Sequence, residues 1–155
     1  VNRSREFPDG RDLNRSFPGS KKGSLASRFA FHILNEVMPE VHYAIDFHAG
    51  GASRFNAPQI RLAENDPELK LLADTFNAPF TLYSKNIGGS FRNSSTKMNI
   101  KMLLFEGGKS LDINNEVANE GINGVKRVLA YLDMLDPKHT IEIPENKTIY
   151  IEKSN

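Results

Sequence analysis

The sequence contains no cysteine. That excludes a disulfide framework, a thiolate metal site and a thiol nucleophile, so any transition metal here would need histidine and carboxylate ligands. Long apolar runs are missing as well. Stretches such as "KMLLF" at 101–105 fall far short of the roughly 20 residues needed to cross a bilayer, and no membrane partner is expected. No excess of either charge is present: 20 Lys and Arg face 19 Asp and Glu, a net charge of +1. Bulk electrostatics therefore favours no polyanion, and nucleic acid is not an expected partner. The opening "VNRSREF" has no initiator methionine and no signal-peptide pattern. The expectations are a cytoplasmic location and a missing N-terminal portion. A chain of 155 residues has room for one domain, or for one domain and the start of another.

What is present alternates in period. "GSLASRFAFHILNEVMPEV" starts at Ser24, a helix cap, and places Leu25, Phe29, Ile33 and Val37 at helical spacing until Pro39. "HYAIDFHAGG" reads as a strand running into a glycine turn, with Asp46 and His48 on one face and Ile45 and Phe47 on the other. "DPELKLLADTFN" reads as a short helix capped by Asp66, and "FTLYS" as a strand. "IGGSFRNSSTKMN" suggests a glycine turn entering a helix. "IKMLLFEGG", residues 100–108, reads as a buried strand. The stretch 114–135 reads as a long amphipathic helix with Val117, Ile122, Val125, Val128, Leu129 and Leu132 on or near its buried stripe. Strands alternating with helices predict an α/β fold with a mixed, mostly parallel sheet flanked by helices. After Pro137 the character changes: "TIEI" and "TIYIE" alternate like strands around "PENK". The expected division is a domain over 1–136 and the start of a β element over 137–155.

In open α/β sheets ligands gather at the carboxyl ends of strands. Two predicted strands end in a functional side chain before paired glycines, His48 before "AGG" and Glu106 before "GGKS". Alone, His48 reads equally well as a hydrogen-bonded structural histidine, and Glu106 as a turn cap. A third element is the loop "FPDGRDLNRSFPG", residues 7–19, which packs charges and amides between two turns. Leu13 and Phe17 anchor it, and Asn14 with Arg15 offers donors suited to a carboxylate. A metal ligand, a base and an anion clamp form a recognisable catalytic set. Rival motifs are weaker. "EGGKS" lacks the glycine a phosphate loop needs at Leu103. His139 and Glu142 sit at strand positions facing opposite sides. His32 and Glu36 match an ordinary solvated helix pair. Ser90 lacks the Gly-x-Ser-x-Gly frame.

Taken in order, "DGRDLNRSFPGS", "IDFHAGG", "NAPQIR" and "LLFEGG" resemble the succinylglutamate desuccinylase and aspartoacylase family, a branch of the zinc carboxypeptidase-like hydrolases. The resemblance runs from Arg5 to the helix ending near Leu135. It implies a zinc-dependent hydrolase of amide bonds acting on an N-acylated amino acid or a similar small carboxylate. Within it, His48 corresponds to a zinc ligand and Glu106 to the general base. Arg5 corresponds to the arginine that stabilises the oxyanion, Asn14 and Arg15 to the pair gripping a substrate carboxylate, and Asp12 to a supporting residue. Arg92 and Lys97 are candidates for a further substrate cation. The family's other two zinc ligands form a His-x-x-Glu motif upstream of the arginine loop, and this chain starts after that point. The expectation is a fragment that does not hold zinc tightly alone. Two other readings stay open: a binding module for small anions, and a carboxypeptidase acting on peptides.

Overall fold

In a computed structural model, residues 4–51 and 54–152 are described. Helices α1 (Leu25–His32), α2 (Pro67–Phe76), α3 (Phe91–Lys97) and α4 (Asn115–Tyr131) accompany strands β1 (Tyr43–Gly50), β2 (Asn56–Leu62), β3 (Phe80–Tyr83), β4 (Lys101–Lys109) and β5 (Ile149–Ile151). The residues divide into two compact units, Val1–Ala44 with Asn86–Met102, and Ile45–Lys85 with Leu103–Asn155.

In the first unit the helix starts where its cap predicts: the Ser24 hydroxyl accepts from Ser27 N. Beyond α1 the chain widens over Ile33–Val37 and tightens over Met38–Glu40, where Pro39 ends the helical run. The buried face is Ala26, Ala30, Leu34 and Met38, one residue beyond the larger apolar series. Phe29 and Val37 are 51% and 57% exposed, and Phe29 is met edge-on by Phe7 at 5.2 Å. Small side chains let the helix approach closely, and Phe17, stacked on Phe91 at 4.9 Å, fills the space with Ile100 and Met102. The stretch 87–99 is a turn followed by α3, capped by Ser90. Gly89 sits at φ +75 with Arg15 O 2.8 Å from where a Cβ would stand. Its carbonyl accepts from Phe17 N at 3.0 Å, so the loop and this turn are held together by backbone approach that only glycine permits.

The sheet runs in the order β1-β4-β2-β3-β5. β3 is parallel to β2 and to β5, and β2 is antiparallel to β4. Lys101 N donates to His42 O and Ser110 N to Gly50 O. These pairs advance together, so β1 and β4 are parallel. The sheet is therefore mixed and mostly parallel, as the alternation predicts.

The core of the second unit packs Ile60, Leu62, Leu103 and Phe105 against Leu69, Leu72, Ala73 and Phe76 of α2 and Val117 and Val128 of α4. Each large side chain fully removed from water contributes about 1.5–3 kcal/mol. Asp66 caps α2 by accepting from Glu68 N and Leu69 N. On α4 the buried positions include Gly121, Gly124 and Arg127, while Ile122 is exposed. Gly124 is small because a Cβ there would run into the Phe76 ring. The β element after Pro137 is β5, which adds to the sheet beside β3. "TIEI" at 140–143 forms no strand. Alternation needs a partner edge, and β5 occupies the one that β3 offers. No helix of the described residues is long and apolar enough to cross a membrane.

Candidate catalytic site

In the second unit Phe47 and Phe105 lie ring to ring at 5.3 Å, on the face that packs against α4. Side chains alternate along a strand, so His48 and Glu106 share the opposite face. The bond from Ser110 N to Gly50 O sets the carboxyl ends of β1 and β4 nearly level. Asp46 Oδ2 accepts from His48 Nε2 at 3.0 Å, on the common face that alternation predicts. A carboxylate oxygen only accepts, so Nε2 is the donor in this pair and Nδ1 is the ring nitrogen that Asp46 does not engage.

Glu106 is held by β2. Its Oε2 accepts from Asn56 Nδ2 at 2.9 Å and lies 3.1 Å from Arg61 Nη2. In the antiparallel ladder Gln59 faces Glu106 and Ile60 faces Phe105, which puts Arg61 on the Glu106 face. Asn56 pairs with Gly108 while Gln59 pairs with Glu106, three steps on β2 against two on β4. That extra residue is a β-bulge, and it turns Asn56 toward Glu106 instead of away. The Glu106 side chain is 14% exposed, so its bonds operate with little competing water.

The arginine loop in the first unit is organised by Asp12. Its Oδ2 accepts from Arg5 Nε at 2.7 Å, its Oδ1 from Asn14 N at 2.9 Å, and its carbonyl from Ser16 Oγ at 2.8 Å. The second of these caps the short turn Leu13–Arg15. Asn14 Oδ1 accepts from Phe91 N at 2.8 Å, leaving the amide NH2 as the donor end of that side chain. Arg15 Nη1 donates to Asn14 O at 2.6 Å. Asp9 Oδ2 accepts from Ala26 N at 3.1 Å, which ties the loop to the first turn of α1. Loss of water pushes the Asp9 carboxyl up, but bonds from Ala26 N, Arg11 N, the Ser24 hydroxyl and Leu25 N outweigh it, and its pKa lies below 3.8.

The structure thus gathers Arg5, Asp12, Asn14 and Arg15 in one unit and His48 and Glu106 on one sheet face of the other. Of the candidate substrate cations, Arg92 is buried in α3 and Lys97 is exposed at its end. Among the described residues no group of three or more His, Asp or Glu side chains could hold a metal ion. His32 and Glu36 are an exposed helix pair, and His139 closes a tight turn at Pro137–His139. The described residues therefore do not form a complete metal site, although His48 has the carboxylate-backed ring of a metal-ligating histidine. Asn56 and Arg61 are the side chains that sequence reasoning left without a role. Pro58 between them discourages a strand assignment, and the bulge that aims Asn56 is a pairing fact.

The family model described as the succinylglutamate desuccinylase/aspartoacylase catalytic domain matches residues 1–132. The chain belongs to this family. It is 24% identical over 155 residues to the N-alpha-acetyl-L-2,4-diaminobutyric acid deacetylase of Halomonas elongata, covering 93% of this chain and 44% of that protein. A crystal structure of succinylglutamate desuccinylase/aspartoacylase from Rhodobacter sphaeroides superposes with TM-score 0.85 at 25% identity, covering 98% of this chain and 48% of that one. The product-bound ectoine utilization protein EutE (DoeB) from Ruegeria pomeroyi shares the fold, with TM-score 0.86 and 22% identity over 98% of this chain and 48% of that one. The chain spans about half the length of these relatives.

Proposed function

We propose that the whole protein is a zinc-dependent amidohydrolase that removes an acyl group from an N-acylated amino acid or a related small carboxylate. The observation that carries this reading is the pairing on one sheet face of a carboxylate-backed histidine, His48, with a carboxylate anchored through one oxygen, Glu106, in a chain of this family. Zinc, when bound, would polarise the amide carbonyl and make water a better nucleophile near neutral pH. His48 would supply one ligand through Nδ1, with the others coming from outside the described residues.

Hydrolysis of an amide requires a proton to leave the attacking water and to reach the departing amine. Glu106 performs both transfers in this reading, a contribution of about 10² to 10⁴ in rate. Arg5, oriented by Asp12, serves the negative charge that develops on the carbonyl oxygen, where a fixed donor lowers the barrier more than it aids ground-state binding. Asn14 and Arg15 receive the substrate carboxylate with the amide and guanidinium donors that remain. The test is hydrolysis of a panel of N-acyl amino acids by the whole protein and by its Glu106→Gln variant. The reading predicts turnover that collapses in the variant with zinc content unchanged, and normal turnover in the variant would refute the base assignment. A protein that binds such compounds without cleaving any of them is a small-anion binding module instead.

A further inference from the structure

We infer that Arg61 and Asn56 are positioning residues that select which oxygen of Glu106 does the chemistry. The inference rests on the reading of Glu106 as the base. From separate positions on β2, Asn56 donates a hydrogen bond to Oε2 at 2.9 Å and the Arg61 guanidinium pairs with the same atom at 3.1 Å. Oε1 has no hydrogen-bond partner among the described residues. A free carboxylate exchanges its two oxygens by rotation about its last torsion, which is broad and two-fold. Here that rotation would break the Asn56 hydrogen bond and carry Oε2 away from the Arg61 guanidinium paired with it. The clamp therefore fixes Oε1 as the open, proton-accepting atom.

Two features show that the arrangement is built around Glu106. The bulge between Asn56 and Gln59 puts the Asn56 side chain on the Glu106 face, where a regular ladder would place it on the other. Pro58 lies within this bulge and carries no N–H, so the irregularity sacrifices no donor there. Arg61 also leaves its own Nε buried without a hydrogen-bond partner. A guanidinium placed for its own satisfaction would not leave a donor orphaned, since burying one carries a free-energy penalty.

The test measures kcat and KM for an N-acyl amino acid in the whole protein with Arg61→Met, Arg61→Lys and Asn56→Ala, beside Glu106→Gln. Arg61→Met should lower kcat about 10- to 100-fold, the scale of a small misplacement of a reacting group. KM should stay within about twofold, because the lost interaction orients the base and does not bind substrate. Arg61→Lys should recover part of the loss by restoring charge and a donor. If Arg61→Met does not fold, Asn56→Ala removes one donor to the same oxygen and should still lower kcat severalfold. A collapsed Glu106→Gln with unchanged kcat in Arg61→Met and Asn56→Ala overturns the positioning role and leaves the base assignment standing. A KM that rises in step with the loss overturns it in favour of substrate binding. A fully active Glu106→Gln removes the base assignment itself.

Discussion

Arg5 and Asp12 form an ion pair, Nε to Oδ2 at 2.7 Å, while the other oxygen of the same carboxylate caps the turn Leu13–Arg15 through Asn14 N. One side chain thus fixes an arginine and the backbone that carries Asn14 and Arg15. The two tasks separate by substitution. Asp12→Asn keeps an acceptor for the cap and loses the charge, so stability should hold while turnover of the whole protein falls about tenfold. Asp12→Ala removes both and should also cost about 0.5–2 kcal/mol of stability. Denaturant unfolding and steady-state kinetics on the same two variants check the split.

Asp9 gives the loop a pH dependence. Its folded-state pKa is below 3.8, so its contribution to stability is present above pH 3.8 and is lost as pH falls through the lower folded value. Asp9→Asn should be less stable than the natural protein at neutral pH, and the gap should narrow below about pH 4. Denaturation midpoints measured across that range decide it, and a gap that stays constant contradicts the assignment.

Gly124 predicts an overpacked helix contact. A methyl group there meets the Phe76 ring, and Phe76 is fully buried. Gly124→Ala should destabilise by about 1–3 kcal/mol, reduced by up to about 1 kcal/mol from better helix propensity. In the Phe76→Leu background the cost of Gly124→Ala should shrink, and a thermal-unfolding double-mutant cycle measures that coupling.

Asn77 holds the C-terminal segment. It ends α2 at φ 52, its Nδ2 donates to Asn146 O at 3.1 Å, and its Oδ1 accepts from Thr148 N at 2.8 Å. Asn77→Gly keeps the left-handed backbone and loses both bonds, which should cost about 1–3 kcal/mol. Asn77→Ala should cost about 1–2 kcal/mol more for the strained backbone. Amide exchange of Ile149–Ile151 should quicken in both variants.

Much of this architecture is legible in local chemistry. Ser24 and Asp66 act as the caps their positions announce, and alternation in "HYAIDFHAGG" places Asp46 and His48 together. Where local signals failed, tertiary geometry decided. The α1 core face follows alanines because close packing rewarded small side chains over the larger Leu25–Val37 series. β2 was hidden by Pro58, which the sheet accommodates in a bulge. The Glu106 clamp depends on that bulge and on strand register, and neither is written in the spacing of Asn56, Arg61 and Glu106.

The most direct test of the central claim follows hydrolysis of N-acyl amino acids by the whole protein before chelation, after chelation, and after zinc is returned in stoichiometric amount. Activity should disappear with the metal and return with zinc, and a His48→Ala variant should neither retain zinc through dialysis nor regain activity. Hydrolysis that survives complete metal removal, or a His48→Ala protein that holds zinc as tightly as its parent, would contradict that claim.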